Sequence, residues 1–173
     1  EESEATLEAM RRAEDEMYRI YADCPFSALE IGENLSAEAM TGLWRRFSRD
    51  YYRERTSLLH SRGKLVGCHI DGTLGELLGE LVDSGIDFPE SVVPAPVGDL
   101  TLEEIADVVR EDTIVWGCVP SAMFSKPFDR ESVLAFVDEA IDTLAPRCRL
   151  VLAGADQVPP DGDIELVKII GEH

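Results

Sequence analysis

Residues 58–87 read LLHSRGKLVGCHIDGTLGELLGELVDSGID. Leu58 and Leu59 close a helical stretch. Gly63 follows where a helix C-terminus places glycine, since the left-handed backbone needed there costs glycine nothing. Lys64 to Ile70 is a mostly apolar run of strand length, and His69-Ile70-Asp71-Gly72-Thr73 forms its outgoing loop. Leu74 to Asp83 returns to helical spacing and stops at Ser84-Gly85. This is one strand followed by one helix, and the rest of the chain repeats the theme.

Upstream, residues 3–22 predict a helix, with Leu7, Met10, Met17, Ile20 and Tyr21 near helical spacing, ended by Pro25. Ala28 to Ile31 predicts a short strand. Ala39 to Arg62 predicts a long amphipathic helix with Leu43, Phe47, Tyr51 and Leu58 on one stripe. Downstream, Ile86 to Val92 is extended and interrupted by Pro89. Thr101 and Glu104 form a capping-box pattern that starts a helix ending near Arg110. Thr113 to Val119 is a strand, Asp129 to Leu144 a helix stopped before Pro146, Arg149 to Ala153 a strand, and Asp163 to Gly171 the last helix.

Apolar strands alternating with amphipathic helices imply an α/β fold with a parallel sheet covered by helices. An open dinucleotide-binding sheet would carry a glycine-rich loop after its first strand, and Gly32-Glu33-Asn34 is not that fingerprint. The expectation is one domain over residues 1–173, forming the C-terminal part, about five β/α units, of a TIM (β/α)8 barrel. A complete barrel has eight units. The start at Glu1-Glu2-Ser3-Glu4, inside a helical pattern, reads as a cut, with the leading helix belonging to the last of three missing units.

Composition narrows the partners. Asp and Glu total 35 against three lysines, Lys64, Lys126 and Lys168, and the net charge is −19. Such a surface repels phosphate backbones and argues against nucleic acid; acidity of this degree also occurs in proteins of salty habitats. No apolar run approaches the ~20 residues of a membrane span. Cys24, Cys68, Cys118 and Cys148 show no CxxC spacing, which suits reduced thiols in a cytoplasmic protein.

Barrel active sites lie at the C-terminal ends of the strands. That rule selects residues 32–36, 69–73, 90–99, 117–127 and 154–160. They bring Glu33, Asn34, His69, Asp71, Glu90, Gly117, Cys118 and Asp156 forward as candidates. Carboxylates gathered in a dry pocket raise one another's pKa and suit proton transfer, and a histidine beside them can serve as base or metal ligand. Each has a plainer reading. His69 and Asp71 can be a strand-end hydrogen-bonding pair, Asp71-Gly72 a turn signal, and Asp156 a cap. Cys68 and Cys118 can be small core residues instead of zinc ligands beside His69. Arg45, Arg49 and Arg53 recur at helical spacing, either as an anion site or as a solvated face paired with acids. Trp44, Phe47 and Tyr51 read as core packing.

The stretches 58–64 leading to His69-Ile70-Asp71-Gly72, then 77–87 (LLGELVDSGID), then Trp116-Gly117-Cys118-Val119-Pro120, and the ending at Gly154 to Pro160, are similar to the uroporphyrinogen decarboxylase superfamily. That group includes porphyrinogen decarboxylases and zinc-dependent methyltransferases that serve corrinoid proteins. The resemblance runs from about Leu29 to the C-terminus. It implies a barrel enzyme, a carbon–carbon lyase that decarboxylates a carboxylated tetrapyrrole or related small molecule without a cofactor. His69, Asp71 and Asp156 are then the catalytic candidates, and Glu33, Asn34, Glu90, Gly117 and Cys118 the substrate contacts. The alternative it implies is a methyltransferase with zinc on His69 and Asp71 and a corrinoid protein as partner; a second alternative is a degenerate, non-catalytic barrel. It also implies a homodimer of the intact protein.

The departures are specific. The decarboxylases' Gly-His-Gly at the last strand reads Gly154-Ala155-Asp156 here, so its histidine is absent. The methyltransferases' His-x-Cys becomes His69-x-Asp71, and their last cysteine falls at Ala155.

Overall fold

The computed structural model describes residues 2–173. Helices α1 (Glu2–Asp23), α2 (Ala37–Leu43), α3 (Arg49–His60), α4 (Gly75–Asp83), α5 (Leu102–Val108), α6 (Arg130–Leu144) and α7 (Ile164–Glu172) alternate with strands β1 (Ala28–Leu35), β2 (Leu65–Ile70), β3 (Phe88–Glu90), β4 (Ile114–Pro120) and β5 (Arg149–Ala155). Strands β1, β2 and β3 pair in parallel in that order, as do β4 and β5. A bridge between Val92 and Gly117 joins the two groups. There Val92 N–H donates to the Trp116 carbonyl (3.1 Å) and Cys118 N–H to the Val92 carbonyl (2.8 Å). The strand order follows the chain order without reversal, so the sheet has no switch point of the kind open nucleotide-binding sheets use. This mixed α/β arrangement of parallel strands and helices is compatible with part of a β/α barrel.

The two faces of the sheet differ. On one, Leu35, Val66, Cys68, Ile70 and Val115 are buried with Trp44, Leu59, Leu77, Leu78, Leu81 and Ile105 of the helical layer. On the other, Leu65, Trp116 and Val151 are 39 %, 39 % and 37 % exposed. Phe88 lies over Gly67 on this open face, with its ring 6.0 Å from that of Trp116.

Several elements depart from the expected pattern for identifiable reasons. The long helix is interrupted by a π-helical segment, Trp44–Ser48. Trp44, Tyr52 and Leu59 are buried, while Leu43 of the expected stripe is 51 % exposed. Strand β3 covers only Phe88–Glu90, because Pro89 brings no N–H to the ladder and Ser91 turns to φ 65°. The capping box is formed: Glu104 N–H donates to Thr101 Oγ1 (3.2 Å) and Thr101 N–H to Glu104 Oε2 (2.8 Å).

Helix α1 is held onto α3 by Arg55, which is bonded to Asp15 at 2.5 Å and stacked over Tyr18 and Tyr51. Lys64 is buried and its Nζ donates to the carbonyls of Cys24 (2.6 Å) and Phe26 (2.7 Å), fixing the chain between α1 and β1. No helix among the described residues is long and apolar enough to cross a membrane.

Candidate functional site

Side chains alternate across a strand, so residues two apart share a face. Glu30 is the Cα partner of Gly67, Gly67 of Phe88, and His69 of Glu90. Glu30, Phe88, His69 and Glu90 therefore stand on one face, the open one, with the carboxylates and imidazole toward the C-terminal ends of β2 and β3. Lacking a side chain, Gly67 leaves room for the Phe88 ring, which would lie 1.9 Å from a Cβ built there.

His69 Nδ1 lies 2.5 Å from Glu90 Oε2. The two side chains are 22 % and 21 % exposed, and Glu30 is exposed. Donor atoms of Glu30, His69 and Glu90 all lie within 4.8 Å of one another, a set that can take a proton or a cation. Phe88, on the same face, packs its ring 6.0 Å from that of Trp116.

Of the residues selected from the sequence, His69 and Glu90 meet here. Asp71 does not: its N–H continues the ladder by bonding to the Leu35 carbonyl (2.8 Å), the chain turns at Gly72 (φ 81°), and its exposed carboxylate stays outside the cluster. Glu33 faces the helices instead of the cleft and accepts a hydrogen bond from the Tyr52 hydroxyl (2.5 Å). Burial, and then that bond, push the Tyr52 phenol well above its ordinary range, so the proton stays on Tyr52 and Glu33 is the acceptor. Asn34 is exposed at the end of β1. Asp156 is exposed with φ 65°, and the carbonyls of Ala155 and Asp156 accept from Ser121 Oγ. Gly117 (φ 115°) serves the close approach of β3 to β4, since a Cβ there would lie 3.2–3.3 Å from backbone atoms of Ser91 and Val92. Arg45 and Arg49 pair with acids at the surface: Arg45 bonds to Glu76 (2.5 Å) and Glu80 (2.6 Å), and Arg49 lies 3.8 Å from Glu80.

Glu30 was not among the selected residues. Its signal was a charge inside an otherwise apolar strand (ALEI), whereas the loop rule looks only past strand ends.

The zinc site on His69 and Asp71 that the resemblance implies is not assembled, because the exposed Asp71 carboxylate stands outside the cluster that His69 joins, and the cysteine reading beside His69 fails as well. Cys68 and Cys118 are fully buried. Cys68 packs in the core on the face opposite His69. Burial pushes the Cys118 thiol up to about 12 and the Cys68 thiol further.

No family model matches the chain, and no curated protein matches its sequence. Among solved structures, the chain is similar to a methyltransferase from Methanosarcina mazei, with a TM-score of 0.66 and 20 % identity over 91 % of this chain and 45 % of that one. The chain thus spans less than half the length of that methyltransferase. At this identity the likeness shows a shared fold.

Proposed function

We propose that the chain is the C-terminal part of a (β/α)8-barrel enzyme that transfers a methyl group to a small-molecule nucleophile, with His69 as the residue that takes the proton. The observation that carries this reading is the His69–Glu90 pair, 2.5 Å apart on the open face at the strand ends. The shared fold with a methyltransferase favours methyl transfer over the decarboxylation expected first, and the last strand offers Ala155 where the decarboxylases place a histidine.

A carboxylate only accepts hydrogen bonds. Glu90 therefore holds a proton on Nδ1 of the neutral ring and leaves Nε2 free as the base. A thiol bound at this open face gives its proton to Nε2. The sulfur then attacks the methyl carbon, and the bond from that carbon to its carrier breaks with the electron pair left on the carrier. The negative charge of Glu30 and Glu90 stabilises the imidazolium formed. A methyl-corrinoid, free or protein-bound, is the carrier this reading favours.

The test is methyl transfer from methylcobalamin to a small thiol by the intact protein. His69→Ala is expected to lower kcat by about 10²- to 10⁴-fold, the usual contribution of a general base. Equal rates for the two proteins would remove His69 from the reaction.

A further inference from the structure

We infer that the crevice between the loop leaving β3 and helix α6 binds a small organic cation, an ammonium group carried on an apolar body. The crevice is separate from the His69 cluster, and the inference stands without the methyl-transfer reading.

The crevice encloses about 370 Å³, at the small end of the range for small-molecule sites. None of Glu30, His69 and Glu90 lines it. Its walls are fixed by the chain's own packing. The Ala95 N–H donates to the Leu100 carbonyl (2.7 Å) and the Gly98 N–H to the Pro94 carbonyl (2.9 Å), which closes residues 94–100 into a tight loop. Gly98 sits so close to Val93 that a Cβ there would meet the Val93 carbonyl oxygen at 2.0 Å. The loop presents Val97, 55 % exposed, as one wall. Met123, Phe128 and Phe136 supply apolar surface from the segment after β4 and from α6. The two phenylalanines are half-buried and rest on the apolar cluster of Val119, Phe124 and Val133. Their rings are therefore already ordered, and a ligand need not immobilise them.

Charge decides the ligand. Glu103 of α5 and Glu139 of α6 also line the crevice, and both are exposed. Among the described residues neither carboxylate has a hydrogen-bond or ion-pair partner. Their neighbours on the same helices do: Asp107 pairs with Arg147 (2.9 Å) and Asp138 with His173 (2.7 Å). No lysine, arginine or histidine lines the crevice. Two uncompensated negative charges beside aromatic rings, in a chain of net charge −19, repel anions and draw cations. A hydrated metal ion gains nothing from the apolar walls. A neutral apolar ligand leaves both carboxylates unused. An ammonium on an apolar body uses both surfaces: the carboxylates and ring faces attract the charge, and the walls cover the rest.

The test uses the full chain with carbon-13-labelled methionine methyls, titrated with 2-phenylethylammonium at neutral pH. Met123 reports on the crevice, while Met10, Met17 and Met40 lie outside it and serve as controls. The expected result is a saturable shift confined to Met123. The uncharged 2-phenylethanol should bind about 5-fold more weakly, and 3-phenylpropanoate should give no saturable shift. Glu103→Gln and Glu139→Gln should each weaken the ammonium about 3-fold; both residues are exposed, so the variants keep the fold. The double variant should bind amine and alcohol alike. No saturable shift at Met123, equal affinity of amine and alcohol for the parent, tighter binding of 3-phenylpropanoate, or an undiminished preference in the double variant would each overturn the inference.

Discussion

Glu90 Oε2 sits 2.5 Å from Nδ1 of His69, the two residues being direct neighbours across β2 and β3. Because the carboxylate can only accept, the neutral ring carries its proton on Nδ1. Nitrogen-15 NMR of the metal-free protein is expected to show His69 as the Nδ1–H tautomer. Glu90→Leu, which removes the acceptor, should shift the ring toward the Nε2–H form that free imidazole side chains favour. The same tautomer in both proteins would mean that Glu90 does not orient His69.

Gly67 is required by packing against the ring of Phe88, not by an unusual backbone angle. A Cβ at this position would lie 1.9–2.5 Å from three atoms of that ring. Phe88 is buried and held against Trp116. Overpacking of this kind costs about 1–3 kcal/mol, so Gly67→Ala should lower stability in urea by that amount. Adding Phe88→Leu to make room should recover part of it. A Gly67→Ala protein as stable as the parent would show that the ring moves freely.

The sequence made the alternation of strands and helices legible because each apolar run and each capping signal acts locally: Gly63, the Thr101–Glu104 box and the stop before Pro146 all fall where expected. It also brought His69 and Glu90 forward, through their place at strand ends. What it concealed depends on register and face. Glu30 joins His69 only because β1 pairs with β2 so that Glu30 meets Gly67. Glu33, three residues later, faces the opposite way and bonds to Tyr52. Asp71 shares its parity with His69, yet the chain turns at Gly72 before its carboxylate can reach inward. The π-helical turn at Trp44–Ser48 has no local marker in the sequence.

The cysteines should separate by reactivity. Cys68 and Cys118 are fully buried with thiols pushed upward by burial, Cys148 is buried, and Cys24 is only partly covered. Since the thiolate is the reactive form, iodoacetamide at neutral pH should alkylate Cys24 first, and the other three only after unfolding. Mass spectrometry of peptides over time reads the order. Fast labelling of Cys68 in the folded protein would contradict its placement in the core.

Lys64 fixes the junction of α1 and β1 through two carbonyls, those of Cys24 and Phe26. Hydrogen bonds from a charged donor contribute about 1.5–3 kcal/mol each when net effects are measured. Lys64→Met keeps the stem and removes the donor of both bonds, and is expected to destabilise by about 3 kcal/mol or more in denaturant titration. A loss below ~0.5 kcal/mol would mean that water replaces the ammonium at little cost.

The methyl transfer proposed above belongs to the Glu30–His69–Glu90 face of the sheet. The most direct measurement is the rate of methyl transfer from methylcobalamin to a small thiol by the intact protein, compared between the parent and His69→Ala at matched stability. The account predicts a measurable parent rate and a drop of about 10²-fold or more in the variant. An unchanged rate, or no transfer by the parent, would contradict it.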